Sequence, residues 1–270
     1  MEQTTDTMNL GITFQMSLDS FLEEKHPIKS TNKTSYEQAL KKLEELKQFR
    51  NPVTKCIIAT EAIQLCSDCI EGYMALGLYT QDVYERMDIY KRGMELATIN
   101  LGKDFFLQNV IDFYDLEESR SLFHIKFAYA CTLFELGFMR KALQQFQEIL
   151  HLNPSDHFLV HHYVYVLLLY FEDLTQCQEL LNKYNTQDTF HSYVTFLLYL
   201  KQGEIQKAKE HIPTLKLANQ FLYEIMTYKS MNMTPQQKQT KPGSVEEAGY
   251  VHRLLSRVTH AMENLHIFMS

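Results

Sequence analysis

The sequence predicts an all-α fold, a right-handed superhelical solenoid of antiparallel helix pairs closed by a terminal capping helix, and three observations predict it. The 270 residues are 45% hydrophobic and 12% aromatic, yet hold only 9 Gly and 6 Pro, too few turn formers for an all-β chain. Apolar residues recur at helical spacing along most of the chain. A small residue and a large one also recur at fixed offsets from a turn position: Gly137, Ala142 and Phe146; Glu172, Cys177 and Leu181; Gly203, Ala208 and Ile212. The small positions 142, 177 and 208 stand 35 and 31 residues apart, the interval of a helix-pair repeat.

Residues 1–33 are polar, with Pro27 and one short helix expected around Leu18 to Glu24, and read as an arm. Ser35 and Gln38 form a capping box for a helix carrying Tyr36, Ala39, Leu40, Leu43 and Leu46, which Pro52 stops. A repeat domain over 34–229 follows, with loops expected near 51–53, 67–70, 99–104, 115–120, 153–157, 185–189 and 202–204. Tyr73, Leu76 and Gly77 open an irregular pair whose second helix carries Tyr90 and Gly93, with Arg86 where a small residue is expected. Asp112 to Ser119 reads as an insertion.

In "LFELGFMRKALQQFQEILHLNPSD" each position has a steric reason. Gly137 serves the turn because it lacks Cβ, Ala142 lets the paired helix approach, and Phe146 fills the space one turn on. Pro154 stops the second helix because it has no amide donor. Pro213 is expected to shorten the second helix of the last pair for the same reason. Residues 230–243, polar with two prolines, read as a linker. In 244–270 Ser244 and Glu247 cap a final helix with Val251, Leu254, Leu255, Val258, Met262 and Leu265, expected to pack on the last repeat.

These offsets resemble the tetratricopeptide repeat, with its Ala-x3-Phe and closing Pro. Over residues from about 40 to the end, "IATEAIQLCSDCIEGYMALG", "FELGFMRKALQQFQEILHLNPSDH", "ELLNKY" and "PGSVEEAGY" are similar to segments of bacterial tetratricopeptide proteins. The resemblance implies the fold and a protein-holding role, and brings no shared catalytic residues. The chain departs from the pattern at Glu172, which stands where the turn glycine belongs.

The net charge of -7 gives no general attraction to phosphate backbones, so nucleic acid is not expected as a partner. Five cysteines, an odd number lying mostly in helical patterns, suit reduced thiols in the cytoplasm. "MEQTTDTMNLGITF" has neither the basic nor the apolar region of a signal peptide. The longest apolar stretch, Phe158 to Phe171, is short of the roughly 20 residues that cross a bilayer, and reads as a buried helix.

Chemistry-bearing patterns are sparse. Cys66-x2-Cys69 has the spacing of half a zinc site but lacks a second pair, and is read as helix-end packing. His157 and His161, one helical turn apart with His162 beside them, could chelate a metal, although no third ligand stands nearby. Hydrolase and phosphate-loop signatures are absent. The chain is therefore expected to be no enzyme, with no cofactor and no resident metal. A metal-binding enzyme or sensor using His157 and His161 is the alternative, and a peptide-responsive regulator a further one.

Counting back from the turns places His124, Phe127, Cys131 and Phe134 on the concave face of a solenoid, then Leu159, His162, Val166 and Leu169, then Phe190, Tyr193 and Leu197. This lining is aromatic and aliphatic, and suits a protein or peptide partner inserting apolar anchors. An apolar face of that extent is equally open to the chain's own first or last segment, or to homodimerisation.

Overall fold

A computed structural model of the chain describes residues 33–107, 111–228, 241–262 and 265–269. The arm expected before residue 33, its short helix, and the linker stretch 230–240 lie outside the described residues. The described residues form helices and turns with no strand among them. They belong to two compact units, Met1–Phe158 and Leu159–Ser270.

The first unit contains α1 (Lys33–Glu44), α2 (Pro52–Leu65), α3 (Ile70–Tyr79), α4 (Val83–Leu101), α5 (Arg120–Glu135) and α6 (Met139–Leu152). Each packs on the next in sequence, and α3 also meets α1 and α5. Ser35 lies within α1, so the helix does not begin at the capping box expected there. Pro52 opens α2 as its first residue, where its missing amide costs nothing, and the Asn51 side chain accepts from Val53 N at 2.8 Å. The insertion at 112–119 is two short 3-10 turns, Phe113–Asp115 and Glu117–Ser119.

Close approach of α3 and α4 depends on glycines. A Cβ built on Gly77 would stand 2.3 Å from Tyr90 Cε1, and one on Gly93 would stand 2.8 Å from Tyr73 Cβ. Arg86, at the expected small position, instead donates from Nε and Nη2 to Thr80 O and pairs through Nη1 with Glu135 at 3.2 Å.

The second unit contains α7 (Val160–Phe171), α8 (Leu174–Lys183), α9 (Thr189–Lys201), α10 (Ile205–Ala218), α11 (Gln220–Tyr228), α12 (Val245–Thr259) and α13 (Leu265–Met269). Helix α9 packs on α7, α8 and α10, and α10 on α11. Helix α10 runs unbroken through Pro213, contrary to the expected shortening, with Ala208 before the proline and Leu215 after it both fully buried. Packing on both sides of Pro213 offsets the lost ladder hydrogen bond.

The three turns predicted to be equivalent have one backbone geometry. After α5, Gly137 has φ +81°, its N–H donates to Phe134 O and that of Phe138 to Leu133 O. After α7, Glu172 has φ +60°, with Glu172 N to Leu169 O and Asp173 N to Leu168 O; after α9, Gly203 has φ +76°, with Gly203 N to Leu200 O and Glu204 N to Tyr199 O. This is a Schellman turn each time, with Glu172 itself in the left-handed conformation at the position where the pattern has glycine. Five residues on, Ala142, Cys177 and Ala208 are all fully buried, as are Phe146 and, nearly so, Leu181. Helix α6 ends at Leu152, two residues before Pro154.

Candidate functional site

Most of the residues expected to line a groove are interior; Leu159, left-handed at φ +53° in the turn before α7, is instead 50% exposed. His124, Phe127 and Phe134 of α5 and His162, Val166, Leu169, Tyr193 and Leu197 of α7 and α9 are all buried, with Cys131 half-buried. In the first unit the Phe127 ring stacks on Phe158 at 5.3 Å and lies 6.1 Å from Phe146. His124 Nε2 stands 3.4 Å from the Tyr114 hydroxyl, so the insertion covers that part of α5. The insertion thus lays the Tyr114 ring against Phe123 and His124, an occupant other than the partner, second copy or first or last segment that the sequence left open.

In the second unit the cover is the chain's own last long helix. Ser244 caps α12 by accepting from Glu247 N at 3.2 Å, and Ala248, Val251, Leu254, Leu255 and Val258 form its buried stripe. That stripe faces α11 and also α7, so the helix reaches well past the last pair on which it was expected to rest.

Polar contacts fix where α12 lies. The His162 ring stacks on Phe190 with centroids 4.1 Å apart and planes 7° from parallel, and its Nδ1 lies 3.3 Å from the Tyr250 hydroxyl. His162 Nε2 stands 4.0 Å from Asp188 Oδ2, whose Oδ1 caps α9 by accepting from His191 N. At the start of α12, Glu247 Oε2 accepts from the Thr189 hydroxyl at 2.9 Å, from Asn219 Nδ2 at 2.9 Å and from Gly243 N at 2.7 Å. Asn219 is 1% exposed and Thr189 4%. Asn219 Nδ2 also donates to Ser244 O, its Oδ1 accepts from Leu222 N to start α11, and its carbonyl accepts from the Tyr193 hydroxyl. Burial raises the Tyr193 phenol above its ordinary range, so at neutral pH it is a donor.

Sequence reading found Glu247 as a helix cap but missed Thr189, Asn219 and Tyr250 as its company. Asn219, sitting between two apolar helical runs, carried a local signal for a helix start. Nothing local signalled its pairing with residue 247.

The metal readings do not assemble. His157 and Phe158 lie in a turn and Leu159 has φ +53°, so α7 begins only at Val160 and the helical spacing supposed for His157 and His161 does not exist. His157 is exposed with Nδ1 2.9 Å from Asn153 Oδ1, while His161 is buried and stacked on Tyr184 at 4.9 Å. Cys66 ends α2 and Cys69 caps α3, both buried. Cys69 Sγ lies 3.4 Å from Glu71 Oε2, which also accepts from the Tyr36 hydroxyl at 2.7 Å. Burial, with the Glu71 charge added, pushes the Cys69 thiol well up; burial pushes Cys177 up to about 12. Among the described residues no group of three or more His, Cys, Asp or Glu is placed to hold a metal.

No protein-family model, curated protein or solved structure matches the chain.

Proposed function

We propose that the chain is a tetratricopeptide-like interaction module, a solenoid of antiparallel helix pairs without catalytic activity, that holds an amphipathic helical segment of a protein partner on the α7–α9 face of its second unit. The observation that carries this reading is the placement of α12, whose Tyr250 rests on the His162–Phe190 stack. A face that accepts one amphipathic helix by apolar stripe and hydroxyl contact has the shape and chemistry for helix-in-groove recognition. The repeated turns at Gly137, Glu172 and Gly203 support the solenoid reading. A cytoplasmic location fits five cysteines that form no disulfide, and among the described residues no helix is long and apolar enough to cross a membrane.

Comparative affinity capture tests the proposal. Wild-type chain and a Glu247→Ala/Tyr250→Ala variant are used as bait in native lysate, with helical circular dichroism as the folding control. The variant should retain proteins that the wild type does not, and a synthetic peptide of residues 244–259 should displace them. Identical capture by both baits, or retention that the peptide leaves untouched, would overturn it.

A further inference from the structure

We infer that Thr189 and Asn219 form a carboxylate-reading site, filled in cis by Glu247, and that an amphipathic helix carrying Ser or Thr, then Glu three residues on, then Tyr three further on, takes the place of α12 in trans. This rests on the interaction-module reading above and names both its partner chemistry and its regulation.

The site is built by the receiving elements. Thr189 opens α9 and Asn219 joins α10 to α11, and both are buried while aiming donors at one oxygen, Glu247 Oε2. The third donor, Gly243 N, belongs to the arriving segment and travels with it. A helix that left without a replacement would take both acceptors of Asn219 Nδ2, Glu247 Oε2 and Ser244 O, while the Thr189 hydroxyl would keep Ala218 O at 3.2 Å; a donor that loses its acceptors costs free energy. An incoming helix with an apolar residue at that position is therefore rejected, and one with a carboxylate is accepted. The second reading point is the Tyr250 hydroxyl at His162 Nδ1. Glu247 and Tyr250 are three residues apart and so share a helix face, which makes the pair a two-point recognition code.

Residues 229–244, sixteen in sequence, join Tyr228 to Val245. Because α12 is joined covalently to its face, a partner helix must bind tighter than α12 does or be locally abundant. The cis helix thereby sets a threshold for occupancy.

The test uses the full-length chain and fluorescein-labelled peptides of residues 244–259, SVEEAGYVHRLLSRVT, as wild type and with Glu247→Gln. Full-length Glu247→Gln should bind the wild-type peptide about tenfold tighter than the wild-type chain does, because its own helix has lost a charge-assisted contact. The Glu247→Gln peptide should bind that same variant about tenfold more weakly than the wild-type peptide. Equal binding of the two peptides, or no binding while the chain keeps its helical circular dichroism, overturns the inference. If Glu247→Gln does not fold, full-length Tyr250→Phe replaces it, and absence of any gain in peptide affinity there is equally fatal. Light scattering showing a dimer that excludes the peptide would assign the face to a second copy and overturn the trans partner. If the two peptides bind equally and both displace the lysate proteins, this inference fails and the module reading stands; identical capture by both baits removes the module reading and this inference with it.

Discussion

Gly77 and Tyr90 are packed so closely that the glycine hydrogen occupies the only space the tyrosine ring leaves: a Cβ would stand 2.3 Å from Cε1 and 2.7 Å from Cζ. Tyr90 is 2% exposed and cannot swing into solvent without opening the core it forms with Tyr73, Met74 and Ile125. Gly77→Ala should therefore destabilise the chain by about 2 kcal/mol, the range of core overpacking. Urea unfolding measures it, and the loss should shrink when Tyr90→Leu makes room. An unchanged midpoint for Gly77→Ala would contradict the packing.

Glu172 takes a left-handed conformation that glycine adopts without strain, so Glu172→Gly removes a backbone cost of roughly 1 kcal/mol. Against it stands the loss of the exposed pair with Lys201 Nζ at 2.9 Å, worth about 0.5 kcal/mol. The net expectation is a small stabilisation, read as a rise in melting temperature. Gly137→Ala should act in the opposite direction by about 1 kcal/mol through φ alone, since a Cβ there meets nothing within 4 Å.

Tyr36 links α1 to α3 through the buried carboxylate of Glu71, which is 1% exposed and has no partner at Oε1. Tyr36→Phe leaves Cys69 as the remaining side-chain donor among those described, and should cost about 2 kcal/mol. Tyr36→Phe combined with Glu71→Gln should recover part of that loss, because an amide is cheaper than a charge to bury. Denaturant titration of the three variants decides it.

Burial lowers the folded-state pKa of His252 in α12 and of His211 in α10; His260 lowers the former further, while the Nε2 contact to Ser192 O partly opposes the latter. The neutral rings are thus favoured by folding. Their contribution is fully present above the unfolded value of about 6.5 and is lost progressively as pH falls below it. The melting temperature should drop between pH 7.5 and pH 5.5, and His211→Gln/His252→Gln should flatten that dependence. A variant with the wild-type slope would assign the acid sensitivity to other groups.

Local physics made much of this fold legible. The αL turns at Gly137 and Gly203, the buried small residues five positions later, and the Ser244 cap all follow from contacts within one or two helical turns, which sequence spacing encodes directly. Local rules failed where packing outweighed them, as at Pro213, and where a turn residue took strain that propensity disfavours, as at Glu172.

The sequence by itself determined the helical class, the turn register and the apolar character of α5, α7 and α9. Whether those apolar faces meet solvent, a partner or the chain's own segments was decided only by tertiary structure. His162 and Tyr250 stand 88 residues apart in sequence, and Thr189 and Glu247 stand 58 apart. Periodicity states that a face must be covered, because apolar area is driven out of water without regard to direction. Which helix covers it depends on long-range polar contacts such as that of Glu247 with Asn219, and these exist only once the chain has folded back on itself.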